Sequence, residues 1–282
     1  MKTSEKLGED LVSAAAAGEE KSQVVQELLD LGVDPNFATK YWKDTALMKA
    51  SRRGHKNIVR ILLEAGADPD LAGDGGVTAL MFASANCHSD IMEMLLEAGA
   101  DPNHASKDGT TSIDLASYMD CVDAVKMLLD RGVDPNQVSD RVSGSTPLIT
   151  ASGRPAPNVV KLLLSDPRTD PNYHPDKNLG WSALHKASFR GYTDIVKLLL
   201  SDPRTNVDLV SGLGKTALTL AFDSDRKHVD IVKMLLEAGA DPDITNKRGW
   251  TALMWAYEYG YSDIVNLLLE AGADPDLTKR SE

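Results

Sequence analysis

The sequence predicts an all-α solenoid of stacked helix-turn-helix repeats with β-hairpin fingers, and two recurring strings carry this prediction. The first is Leu-Leu-Glu-Ala-Gly-Ala-Asp-Pro-Asp/Asn, which has four close copies and two looser ones. These six copies begin at Leu28, Leu62, Leu95, Leu128, Leu235 and Leu268. Two further copies, from Leu163 and Leu199, carry Ser-Asp-Pro-Arg-Thr in place of the Gly turn. We therefore expect about eight repeats.

The second string, Thr-Ala-Leu or a near variant, opens the repeats after the first. It begins at Thr45, Thr78, Thr111, Thr146, Ser182, Thr216 and Thr251. Successive copies are separated by 33, 33, 35, 36, 34 and 35 residues. The repeat period is therefore 33 residues, with small insertions that we expect in loops.

Each repeat carries the start and stop signals of two helices. Thr45 is a good N-cap for a first helix, and Gly54 supplies the left-handed residue that ends it. Residues 57–66 have apolar side chains at helical spacing, which predicts a second helix with one buried face. Residues 68–76 contain Asp-Pro-Asp and a cluster of glycines, which predicts an extended segment and a tight turn before the next repeat.

These strings resemble the ankyrin-repeat family. The opening is similar to the family's Thr-Pro-Leu-His, as in Thr146-Pro147-Leu148-Ile149 and Ser182-Ala183-Leu184-His185, and each repeat closes on Leu-Leu-x-x-Gly-Ala-Asp. The resemblance implies that a partner binds at the hairpin tips and the exposed side of the first helices. It also implies that His185 forms a hydrogen bond between adjacent repeats and has no catalytic role.

The repeats predict one domain over residues 1–282. We divide it into an N-terminal capping repeat (1–39), six internal repeats (40–246) and a C-terminal repeat (247–282). The first repeat is rich in charged side chains, as a cap should be. The last repeat shows little sign of a polar cap, so a second interpretation is a segment of a larger protein.

Composition excludes several classes of function. A net charge of -12 disfavours general binding of nucleic acid or an anionic membrane. No apolar run approaches the roughly 18 residues of a membrane span, and the start is polar, so we expect a soluble, cytoplasmic protein. Cys87 and Cys121 lie at nearly equivalent places in neighbouring repeats. We expect stacked backbones to hold them apart as two free thiols.

The candidate binding surface consists of the residues one, three and four before each opening Thr or Ser and seven and eight after it. These 35 positions carry eight Lys and Arg residues and five acidic residues. Their net charge is +3, whereas the net charge of the whole chain is -12. Aromatic and arginine side chains, which dominate protein interfaces, are frequent on or beside these positions. They are Tyr41, Trp42, Arg52, Arg53, Tyr118, Arg154, Trp181, Phe189, Arg190, Arg248, Trp250, Trp255 and Tyr259. The alternative for the tryptophans is packing between hairpins.

No constellation for catalysis or metal binding stands out. The six histidines are dispersed, and phosphate-binding loops and nucleophile motifs are missing from the sequence. The repeated Asp-Pro-Asp is better explained as turn and cap chemistry than as a calcium loop. We therefore predict a monomeric protein-binding scaffold or adaptor without catalysis or cofactor, whose partner presents apolar and acidic residues. The alternative function is a non-catalytic regulatory or targeting segment of a larger protein.

Overall fold

The computed structural model describes residues 3–139, 144–175, 179–223 and 226–277. Contacts divide the chain into two compact units. The first unit comprises residues 1–134 and 138–141, and the second comprises residues 135–137 and 142–282. In the described part of each unit, the regular secondary structure is helical.

The first unit contains four helix pairs. Its helices are α1 (Ser4–Ala17), α2 (Ser22–Asp30), α3 (Ala46–Arg53), α4 (Lys56–Glu64), α5 (Ala79–Ala85), α6 (Ser89–Glu97), α7 (Ser112–Tyr118) and α8 (Val122–Asp130), with a short 3₁₀ turn at Glu19–Lys21. The first helices α1, α3, α5 and α7 pack in series, and so do the second helices α2, α4, α6 and α8. Two parallel layers result, as expected for a solenoid.

The second unit repeats this arrangement. Its helices are α9 (Pro147–Ser152), α10 (Pro157–Ser165), α11 (Ala183–Arg190), α12 (Thr193–Ser201), α13 (Ala217–Leu220), α14 (Val229–Glu237), α15 (Ala252–Glu258) and α16 (Ser262–Glu270). The helices α9, α11, α13 and α15 form one layer, and α10, α12, α14 and α16 form the other. The sixteen helices of the described residues confirm the predicted all-α repeat fold.

The predicted helix signals act as expected. The Thr45 hydroxyl accepts a hydrogen bond from the Met48 amide at the start of α3, and Gly54 ends this helix with a φ of 81°. The apolar stripe of α4 is completely buried at Ile58, Val59 and Leu62. Each such side chain contributes about 1.5–3 kcal/mol by leaving water. Because the stripe faces neighbouring helices, no repeat buries its apolar residues alone.

The fingers are tight turns with little strand structure. Hydrogen bonds such as Gly73 N to Val77 O (3.0 Å) and Ser211 N to Lys215 O (2.9 Å) close them. Ala38 and Thr45 form an isolated antiparallel β-bridge, and Ser139 and Ser145 are also in bridge conformation. In the described residues, the predicted β-hairpin fingers therefore keep hairpin hydrogen bonds but do not extend into paired strands.

Side chains in the turns that follow the second helices form a ladder of hydrogen bonds between successive repeats. The Asn172 Oδ1 atom accepts the Asn206 amide (2.7 Å), and its Nδ2 atom donates to the Arg204 carbonyl (2.7 Å). Asp70 and Asp243 accept the amides of the next repeats at 2.8 and 3.0 Å in the same way. Within the turns, Asp68 and Asp241 accept the amides of Asp70 and Asp243 at 2.9 Å each, which is the turn chemistry that the sequence indicated for Asp-Pro-Asp.

In the repeat that contains the short helix α13, a large side chain replaces a small one that the earlier repeats share. Earlier first helices carry a buried Ser six residues after the opening residue, as Ser188 does in α11. The equivalent residue in the next repeat is Phe222, which is also fully buried. Because Phe222 lies beyond the end of α13 at Leu220, its ring enters the core from the loop that follows the helix.

The cysteine prediction was wrong. Cys87 and Cys121 have Cα atoms 5.2 Å apart and are joined by a disulfide bond. The two residues are not equivalent in the repeat, since 34 residues separate them and the local repeat period is 33. This offset of one residue turns one side chain toward the other.

The ladder generates a stability prediction. We expect Asn172→Ala to lower the free energy of unfolding by about 1–2 kcal/mol, because it removes an acceptor and a donor that join two repeats. Asn172→Asp keeps the acceptor and should lose less. Urea denaturation followed by circular dichroism measures both changes.

The matched control for this experiment is Ser201→Ala. The Ser201 hydroxyl donates to the Lys197 carbonyl of its own helix (2.7 Å), so its removal should cost under about 0.5 kcal/mol. An equal loss in Asn172→Ala and Ser201→Ala would show that the ladder does not couple the repeats.

Candidate functional site

A groove of about 590 Å³ lies on the first-helix side of the first unit. The helices α5 and α7 form its floor, and the fingers around Gly75 and Lys107 form its rim. Its apolar lining includes Val77, Met81, Phe82, Leu115 and Met119. A groove of this size and lining can accept apolar side chains from another molecule.

Two cations lie at this groove. The Arg52 guanidinium is 5.5 Å from the centre of the Phe82 ring, a distance typical of a cation–π contact. The Lys107 ammonium is 3.2 Å from an Asp74 carboxylate oxygen, and this contact lowers the pKa of Asp74. Arg52 and Lys107 both keep exposed side chains, so they can also meet an acidic group.

The groove continues toward the preceding finger. A smaller cavity of about 330 Å³ shares Arg52, Val77 and Phe82 with it and also includes Trp42. Trp42 is 70 % exposed and Tyr41 is 84 % exposed, whereas Tyr118 at the other end is 43 % exposed. Two exposed aromatic side chains, Trp42 and Tyr118, therefore line these two cavities, whereas Tyr41 is exposed but lines neither of them.

The predicted aromatic residues of the second unit contact one another. Trp181 and Phe189 have ring centres 4.6 Å apart, and the Arg226 guanidinium lies 3.9 Å from the Phe189 ring. Trp250 packs against Trp255 at 4.6 Å. The packing alternative for the tryptophans therefore has direct support at these pairs.

The aromatic contacts extend to the end of α15. Tyr259 stacks on Trp255 with ring centres 5.6 Å apart and donates a hydrogen bond to Asp223 (3.4 Å). Asp223 also forms a 2.6 Å ion pair with Lys215, whose ammonium lies 5.4 Å from the Trp255 ring. Asp223 lies three residues after the end of the short helix α13, and its contacts tie two repeats together.

The structure brings part of the predicted set together and leaves other members apart. Trp42, Arg52 and Tyr118 line the groove of the first unit, whereas Arg53, Arg154, Arg190 and Arg248 are exposed elsewhere on their own repeats. Phe82 and Leu115 line the groove but were not predicted. Both lie four residues after the opening Thr, as Trp255 does, so large apolar residues at that position were the missed signal.

A buried carboxyl group, that of Asp114, directly precedes the groove-lining Leu115 in the sequence. Asp114 is in the first turn of α7, where its Oδ2 atom accepts hydrogen bonds from the Thr111 amide (3.2 Å) and hydroxyl (3.0 Å). Burial raises the pKa of Asp114 to about 7, although the Thr111 hydrogen bonds act against this rise. The carboxyl group therefore changes charge near neutral pH.

His185 has the structural role that the resemblance implied. Its Nδ1 atom is 2.8 Å from the Ser182 hydroxyl, and its Nε2 atom is 3.1 Å from the Lys215 carbonyl of the next repeat. Burial lowers the pKa of His185 to about 4, so the ring is neutral at physiological pH. Both nitrogens are occupied by hydrogen bonds within the fold.

The described residues contain no group of three or more His, Cys, Asp or Glu side chains that could hold a metal ion. Likewise, none of the helices in the described segments has the length and apolarity that a membrane crossing requires.

The stacked helix pairs, the turns and the inter-repeat hydrogen bonds define a helical-repeat protein with a groove on its first-helix side. A family model for ankyrin repeats matches residues 11–106, 113–211 and 203–279, which is most of the chain. The chain belongs to the ankyrin-repeat family.

Comparison with solved structures supports this fold. The ankyrin repeat domain of human ASB11 is similar, with a TM-score of 0.71 and 24 % sequence identity. The match covers 82 % of this chain and 98 % of that one. A search among curated proteins finds no match.

Asp114 generates a prediction about pH dependence. Between pH 3.8 and about 7 the folded state retains a proton at Asp114 that the unfolded state has released, so stability falls as the pH rises through this window. We expect Asp114→Asn to be more stable than the wild type above pH 7 by a few kcal/mol, since one pKa unit is about 1.36 kcal/mol. Urea denaturation at intervals of pH measures the difference.

The control for this experiment is Asp74→Asn, since the pKa of the exposed Asp74 is lowered by Lys107. Its replacement should leave the slope of stability between pH 4 and 7 unchanged. His185 is present in every variant, so its opposite effect, a loss of stability as the pH falls below 6.5, cancels in the comparison. Equal slopes for the wild type and Asp114→Asn would contradict the prediction.

Proposed function

We propose that this protein is a non-catalytic binding scaffold or adaptor that holds a segment of another protein on its first-helix and fingertip surface. The observation that carries the proposal is the groove of the first unit, about 590 Å³ in volume, with an apolar floor and cations at its edge. Ankyrin repeats are generally protein-interaction modules, and the chain belongs to that family.

The exposed aromatic residues favour the first unit as the main contact region. Trp42 and Tyr118 offer large apolar surfaces that water now covers, and burial of such rings supplies much of the free energy of protein association. Trp181 and Trp250 have already buried part of their surface against Phe189 and Trp255. They have less apolar area left to gain from a partner.

Charge favours a partner with acidic residues. Arg52 and Lys107 are exposed at the groove of a protein whose net charge is -12, together with the groove-lining Asp108 and with Asp74, which pairs with Lys107. The acidic remainder of the protein repels an acidic segment, whereas these cations attract it, so the pattern directs such a segment to the groove. The proposed partner segment therefore combines apolar or aromatic anchors with Asp or Glu.

We further propose that the protein acts as a cytoplasmic monomer and that binding requires no cofactor, nucleic acid or membrane. The net charge of -12 supports the part of this proposal that concerns nucleic acid and membranes, because nucleic acids and anionic lipids attract basic surfaces.

A peptide selection tests the proposed surface. Random peptides displayed on phage would be selected on the intact chain, and the affinity of the enriched peptides would be measured by fluorescence anisotropy. We expect enrichment of peptides with apolar and acidic residues. The double variant Arg52→Glu, Lys107→Glu should weaken their binding at least tenfold, because two attractive charges become repulsive.

The matched control reverses two charges elsewhere on the same unit. Lys126→Glu, Arg131→Glu alters exposed cations on α8 and just beyond its end, and it changes the net charge by the same amount. Binding should be retained in this control. Equal losses in both double variants, or selected peptides without acidic residues, would contradict the proposed surface.

A further inference from the structure

The turn between the two helices of a repeat contains a position whose side chain would point at the next repeat. Gly54 and Gly191 occupy it with φ angles of 81° and 77°. A Cβ atom added at Gly54 would lie 2.8 Å from the His88 ring, and one added at Gly191 would lie 2.5 Å from the His228 ring. Each contact is with the residue that precedes the second helix of the next repeat.

Cys87 occupies this position in the repeat that follows Gly54, with a φ of 56°. A residue with a side chain is disfavoured in the left-handed region, so Gly would be the easier choice there. Cys121 directly precedes α8, just as His88 directly precedes α6. A side chain at position 87 therefore points at Cys121, as a side chain at position 54 would point at His88. The only two cysteines of the chain thus occupy the two complementary positions.

The two cysteine residues differ in their exposure to solvent. Cys87 is exposed, whereas Cys121 is 4 % exposed. A small thiol or disulfide in solution can therefore approach Cys87, and Cys121 is placed to complete an exchange from inside the fold. This pairing of one exposed and one buried cysteine is suited to exchange chemistry.

We propose that Cys87 and Cys121 form a reversible thiol–disulfide site that locks α5 to α7 when oxidised. In oxidation, the Cys87 thiolate attacks a low-molecular-weight disulfide and releases one small thiol, leaving a mixed disulfide on Cys87. The Cys121 thiolate then attacks the Cys87 sulfur and releases the second small thiol. Two protein thiols and one small disulfide become one protein disulfide and two small thiols, and reduction by a small dithiol reverses the exchange.

The disulfide lies next to the groove. Asn86 and Met119 line the groove, and Cys87 directly follows Asn86, whereas Cys121 lies two residues after Met119. The bond therefore fastens the ends of the two helices that form the groove floor. It also closes a loop across one complete repeat, which restricts the unfolded chain and stabilises the fold.

The test uses the full chain and needs no binding partner, so its failure is distinct from failure of the proposed function. The protein is equilibrated under native conditions with oxidised glutathione or with dithiothreitol. Thiols are then counted by alkylation in denaturant and intact mass spectrometry. We expect no alkylated cysteines after oxidation and two after reduction, with a thermal midpoint about 5–10 °C higher for the oxidised form.

The matched variant is Cys87→Gly, Cys121→His, which recreates the Gly54 and His88 pair in these repeats. It should remain folded, and its thermal midpoint should be the same in both reagents. Three results would overturn the proposal: two alkylatable thiols after oxidation, a stable glutathione adduct on Cys87 in place of the internal bond, or a bond that dithiothreitol cannot reduce in the folded protein.

Discussion

The structure depends on the inability of one repeat to bury its own apolar residues. Ile58, Val59 and Leu62 of α4 are removed from water only because neighbouring helices cover them. Stacking is therefore the source of stability, and hydrogen bonds between repeats determine how adjacent repeats are aligned. The Asn172 bonds to Asn206 and Arg204 and the His185 bond to Lys215 are examples from the second unit.

Much of this fold could be predicted because its signals are local and repeated. Thr45 and Gly54 mark helix ends by their own chemistry, and Thr or Ser recurs at the place of Thr45 in each repeat after the first. Phe222 shows where such reasoning stops. Its burial depends on the early end of α13 at Leu220. The repeats that have Ser at the equivalent position have longer first helices, so comparison with them does not predict that Phe222 is buried.

The groove was harder to predict than the fold. Which side of a short first helix faces the groove depends on how the neighbouring finger bends over it, so Phe82 and Leu115 were missed although Tyr118 on α7 was found. The tryptophans show the opposite difficulty. Their residue type predicts interfaces, but a local contact such as that of Trp181 with Phe189 uses the same apolar area within the chain.

The disulfide shows why a repeat period alone gives an incomplete picture of neighbouring residues. Residues one period apart lie in equivalent places and have parallel side chains, which is why Cys87 and Cys121 were expected to remain apart. A left-handed residue such as Cys87 points its Cβ along the stack instead, toward the residue one position later in the next repeat. When a cysteine occupies a left-handed position in a repeat protein, its disulfide partner should therefore be sought one residue beyond the equivalent position of the next repeat.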